Sequence, residues 1–195
     1  QVGGYFIGTA YDGERVFNYL SGIEKEESKI LMLKNKKIWE IKKQYSADLF
    51  EGNETSIGYA IDVYQETINK YFREYLVHFK YLTKMMEDYG FIALPKKDAE
   101  KIGLPDGIDS FKSCFHKMEL LIEKDKKHKT SIGNSLYMTP EEKTISFLNN
   151  YFVYKKIRNV DTNQMFKLHT KQKTNRDDVV IFKPKKLKKK IKLVE

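Results

Sequence analysis

The sequence holds a single cysteine, Cys114, among 195 residues, which excludes an internal disulfide and any multi-cysteine zinc site and suits a reducing compartment. No apolar run approaches the ~20 residues that a membrane span requires, and nothing resembles a signal peptide. A soluble chain with no membrane partner is expected. His, Asp and Glu nowhere cluster at metal-ligand spacing, so no metal is expected. Glycine is sparse, and Gly3, Gly4 and Gly8 in the opening "QVGGYFIGTAYDG" miss the G-x-G-x-x-G intervals of a dinucleotide loop. The stretch reads instead as one strand of a larger sheet. Only 4 of the 36 basic residues are arginine, a bias that carries no binding requirement. No internal repeat is present.

What is there suffices for one domain with a proper core. The charge is uneven: residues 155–195 carry a net +10 and residues 1–154 a net −1. The globular part is therefore neutral, and a basic tail from about Arg158 onward is expected to be weakly ordered. "GGYFIGTA" reads as a strand, its Tyr5-Phe6-Ile7 run suiting a sheet covered on both faces. Asp12 is placed to cap a short helix with Val16, Phe17 and Leu20 on one side. "KILMLKNKKIWEIKKQ" reads as a hairpin turning at Asn35, and "IGYAIDVYQ" as a further strand. The spacing of Phe72, Leu76, Phe79, Leu82 and Met86 predicts one long helix over "YFREYLVHFKYLTKMMEDYG", ended by Gly90. "FIALP" is a short strand stopped by Pro95. "GIDSFKSCFHKMELLIEKDKK" reads as a second amphipathic helix with Cys114 in its apolar stripe. Thr139-Pro140-Glu141-Glu142 is a capping box with proline at the first helical position, and "NNYFVYKKI" is a closing strand. "DVVIF" reads as one more edge strand before "KPKKLKKKIKLVE".

Three segments, "GGYFIGTAYDG", "IGYAIDVYQETINKYFREYLVHFKYLTKMMEDYGF" and "EEKTISFLNNYFVYKK", together resemble the C-terminal half of the mRNA cap guanine-N7 methyltransferase family, most of all the versions in capping enzymes of large DNA viruses. The resemblance spans roughly residues 2–157. It implies an α/β fold, the C-terminal half of a Rossmann-like S-adenosylmethionine-dependent methyltransferase, with residues 158–195 as the basic tail. Gln1 followed at once by strand-like sequence is expected to lie inside a longer gene product. The cofactor's glycine-rich loop and its ribose-binding acid are then expected upstream, and this chain by itself is expected to be inactive. The implied partners are the capped mRNA 5′ end and the remainder of the capping enzyme. A viral member would work in the host cytoplasm or the virion, a cellular one in the nucleus.

By resemblance Glu74, in "REYLVHF", matches the glutamate of the family's "EFLVYF" that pairs with the guanine NH edge; without it, Glu74 is an ordinary acid near a helix start. Tyr151, in "NNYFVYKK", matches a tyrosine contacting the methyl-accepting base, its bland alternative being one aromatic of a buried strand. Tyr11 follows the "GT" after which cellular members carry a proline beside the cap. The place of a further family aromatic falls between Ile61 and Tyr64. His78 aligns with a family tyrosine and reads as structural, and His116 as a solvated imidazole on a polar helix face. The tail lysines suit either RNA phosphates or plain solvation. The competing function is a non-catalytic RNA-binding or subunit-contact module of a capping enzyme; a methyltransferase-like domain that has lost activity is a third.

Overall fold

Alternating apolar residues and tight turns divide the strands between two antiparallel sheets in a computed structural model that describes residues 1–125, 127 and 132–171. The first sheet is built on β8 (Asn149–Lys156), whose two sides take β1 (Tyr5–Tyr11) and β6 (Phe91–Ala93), with β7 (Ile108–Ser110) also paired to it. All three run antiparallel to β8, so β1 and β6 share one direction and are joined by a crossover. The second sheet is the meander β2 (Ser28–Leu33), β3 (Lys36–Lys43), β4 (Ala60–Gln65) and β5 (Lys70–Tyr75). Its first hairpin turns at Lys34 and Asn35, both at positive φ (49° and 62°), the backbone that a two-residue hairpin loop demands. The architecture is mixed α/β with antiparallel sheets.

Three apolar clusters hold these layers together. Helix α1 (Gly13–Tyr19) buries Val16 and the following Leu20 against Trp39, Ile41, Ile61 and Val63 of the second sheet. Helix α2 (Phe79–Asp88) sets Phe79, Leu82 and Met86 on the β8 face that shows Phe152 and Tyr154. Helices α3 (Lys96–Lys101) and α4 (Phe111–Lys124) cover the opposite face, where Tyr151 and Val153 meet Leu94, Ala99, Phe111 and the half-buried Cys114. Helix α5 (Pro140–Phe147) starts at the expected capping box: the Thr139 side chain accepts from Glu142 N, and the Glu142 carboxylate accepts from Thr139 N.

Gly8 sits in mid-strand opposite Phe152, whose ring lies across it; a Cβ there would fall 2.5 Å from the ring. The glycine thus makes room for an aromatic side chain. Asp12 caps α1 as expected, accepting from Arg15 N at 3.1 Å, and it also accepts from Asn150 Nδ2 at 2.8 Å. Arg15 in turn donates to Asn150 Oδ1 at 2.7 Å, so the end of β1, the start of α1 and the start of β8 are locked by one polar network.

Three expectations are corrected. The long helix over 71–90 divides into β5, the link Leu76–His78 and α2, because Lys70–Tyr75 pair residue for residue with Gln65–Ala60 across a turn in which Asn69 takes φ 54°. Hairpin pairing overrides a helical spacing that Phe72, 46% exposed, does not in fact serve. The segment from Gly107 is likewise strand β7 before α4, with Ser110 capping the helix. Tyr5, Phe6 and Ile7, expected under cover on both faces, are 55%, 46% and 67% exposed, and among the described residues β1 pairs with β8 alone. Of the expected tail, Thr162–Lys171 form helix α6, held by His169 stacked on Tyr89 and 3.2 Å from Asp88. "DVVIF" and the lysine run lie outside the described residues.

Candidate functional site

Glu74 reaches its position through strand alternation. It pairs with Ile61, so its side chain shares the face of the second sheet that carries Trp39, Ile41, Ile61 and Val63, the face packed on α1. Two residues further, Leu76 N donates to Tyr59 O at 2.9 Å, and Val77 then bridges to Asp12 while its carbonyl accepts from Gly13 N at 2.9 Å. That junction brings the end of β5 alongside the end of β1, and with it Glu74 to the neighbourhood of Tyr11. The Glu74 charge accordingly helps to raise the Tyr11 pKa, although burial of the phenol is the larger cause.

The Glu74 carboxyl is half-buried, and burial alone pushes its pKa above the ordinary carboxylate range. No hydrogen bond or ion pair satisfies it among the described residues. Its neighbours differ: Asp62 is held below the usual range by Arg73, which donates to it at 2.6 and 2.8 Å, and Glu40 accepts from Lys37 and from the Tyr71 hydroxyl. Its oxygens are not among the side-chain polar atoms sealed from solvent without a partner, so the carboxylate stays open to water. It is available to accept two N–H groups from outside.

Tyr11 is buried, and its hydroxyl accepts from Trp39 Nε1 at 3.2 Å with the Gln65 side chain also against it. Its ring is part of the core that joins the two sheets. Tyr151 lies diagonally across the β1–β8 ladder from Tyr11, Thr9 being its direct partner. Its hydroxyl donates to Asp106 O at 2.7 Å and accepts from Asp106 N at 3.2 Å, and burial pushes its pKa up to about 12. The structure therefore brings Glu74 and Tyr11 together and gives Tyr151 to the neighbouring cluster, where it holds the loop before β7. No family model and no curated protein sequence matches this chain.

Of the remaining candidates, Ile61 is fully buried opposite Glu74, while Tyr64 stands on the outer face under the Lys37 ammonium, 4.3 Å from its ring centre. His78 is buried against Phe50 with Nε2 3.6 Å from Glu14, and His116 is exposed beside Glu119. No group of His, Cys, Asp and Glu suited to a metal occurs among the described residues. No helix there is long and apolar enough to cross a membrane. Reading the sequence as a long helix hid Phe72 and Lys70, which share the face of Glu74 on β5; the signal that finds them is strand alternation at i−2 and i−4.

Proposed function

We propose that this chain forms the cap-guanine side of an S-adenosylmethionine-dependent mRNA (guanine-N7) methyltransferase, folded as the C-terminal half of a Rossmann-like domain. The observation that carries the reading is the half-buried carboxylate of Glu74, without a partner among the described residues and singled out independently by the family resemblance. The crossover between the parallel β1 and β6, with helices on both faces of β8, supports the α/β reading. The β1 edge that no described residue pairs, and the exposed Tyr5, Phe6 and Ile7, support a further strand and further layers beside it.

Guanine offers two donors, N1–H and the N2 amine, side by side on one edge, and a carboxylate accepts both; adenine offers a lone pair there instead. The N7 lone pair is free, so methyl transfer needs no general base, only position and charge. As N7 gains the methyl group the ring becomes positive, and the bonds from its N–H edge to Glu74 strengthen, which favours the transition state over the substrate. Tyr11 sets the wall behind Glu74, and Tyr151 fixes the loop before β7.

S-adenosylmethionine would supply the methyl group from its sulfonium. Gly8, the glycine within β1, is taken up by the Phe152 ring and offers it no cradle.

In the complete enzyme, Glu74→Gln is expected to lower methyl transfer to capped RNA by about a hundredfold while leaving the fold intact. Unchanged turnover overturns the proposal. The free β1 edge also fits a subunit-contact module; that reading gains if the variant is fully active and assembly depends on Ile7.

A further inference from the structure

The face of β5 that carries Glu74 continues past it. Phe72 pairs with Val63 and Lys70 with Gln65, so Glu74, Phe72 and Lys70 stand in a row on one side of an edge strand. Elsewhere that face is core, yet Phe72 is 46% exposed, and it makes no ring contact among the described residues. Lys70 is exposed and forms no ion pair there, whereas Lys36, Lys37, Lys42 and Arg73 of the same sheet each hold a carboxylate. Three groups without a partner among the described residues thus stand in one row of this strand: an acceptor, an aromatic face and a cation, spaced over about 13 Å. We infer that Phe72 stacks on the base held by Glu74 and that Lys70 takes the phosphate chain attached to it, so that this one strand face selects a guanine nucleotide over free guanosine.

The inference rests on the guanine reading of Glu74, and the test separates the two. The 195-residue chain is titrated with the cap dinucleotide GpppA and with guanosine, following amide shifts of residues 70–76. Phe72→Ala is expected to weaken both ligands by about fivefold or more, with Phe72→Trp restoring them. Lys70→Ala is expected to weaken GpppA alone and to remove the salt dependence of its binding. Should both ligands bind through Glu74 yet ignore the Phe72 and Lys70 variants, the inference fails and the guanine reading stands. Should Glu74→Gln leave both affinities unchanged, or should neither ligand bind, the guanine reading falls and the inference with it.

Discussion

Replacing Gly8 by alanine tests whether this glycine serves an aromatic ring or a ligand. The added Cβ would lie 2.5 Å from Phe152 Cζ and 3.1 and 3.2 Å from two further ring atoms, so the ring must move by about an ångström to reach ordinary contact. Its neighbours resist that shift. Phe152 is buried, with Phe6, Tyr154 and Phe79 at ring-centre distances of 5.3, 5.7 and 6.2 Å, and Tyr154 is itself fully buried with its hydroxyl 2.9 Å from Thr83 Oγ1. Overpacking of this kind costs about 1–3 kcal/mol. Relieving the entropy of a strand glycine returns roughly 0.5–1 kcal/mol. A net loss of about 1–2 kcal/mol lowers the Tm of a chain this size by roughly 2–8 °C. Thermal melting followed by circular dichroism reads it, and in a Phe152→Leu background the same Gly8→Ala change is expected to be neutral or stabilising, a coupling of at least about 1 kcal/mol. Equal Tm for Gly8→Ala and wild type, with no coupling to position 152, refutes the packing argument.

Glu74→Gln is expected to raise the Tm at pH 7. A carboxyl whose folded pKa lies above its unfolded value of about 4.3 destabilises the fold once ionised; the penalty grows as pH rises from the unfolded to the folded pKa and is complete above it. The advantage of the variant should therefore vanish below about pH 4. A variant less stable than wild type at pH 7 would mean that the carboxylate has a partner after all. Tyr45→Phe removes a buried hydroxyl that has no hydrogen-bond partner among the described residues, from a ring stacked between Phe17 and Tyr59 at 5.5 and 5.1 Å. Stability should hold or rise, and a loss of more than about 1 kcal/mol in urea unfolding contradicts this.

Elements announced by local chemistry are legible in the sequence. The Asp12 and Thr139 caps, the Lys34-Asn35 turn and the β8 run "NNYFVYKK" stand where their residues predict. The failures are places where distant chain decides. "YFREYL" satisfies a helical and a strand spacing equally, and pairing with β4 breaks the tie. The exposure of Tyr5, Phe6 and Ile7 depends on what lies beside β1, which no local pattern encodes. At the candidate site, Glu74 was reached through resemblance, but its lack of a partner is a property of three-dimensional packing. The engagement of the Tyr11 and Tyr151 hydroxyls by Trp39 and Asp106, 28 and 45 positions away, is equally invisible in one dimension.

The most direct measurement is the affinity of the chain for guanosine against 1-methylguanosine, in which the N1 proton is replaced by a methyl group. With the Glu74 carboxylate accepting from N1–H, wild type should prefer guanosine by about tenfold or more, and Glu74→Gln should lose most of that preference. Equal binding of both nucleosides by the wild-type chain would contradict the account.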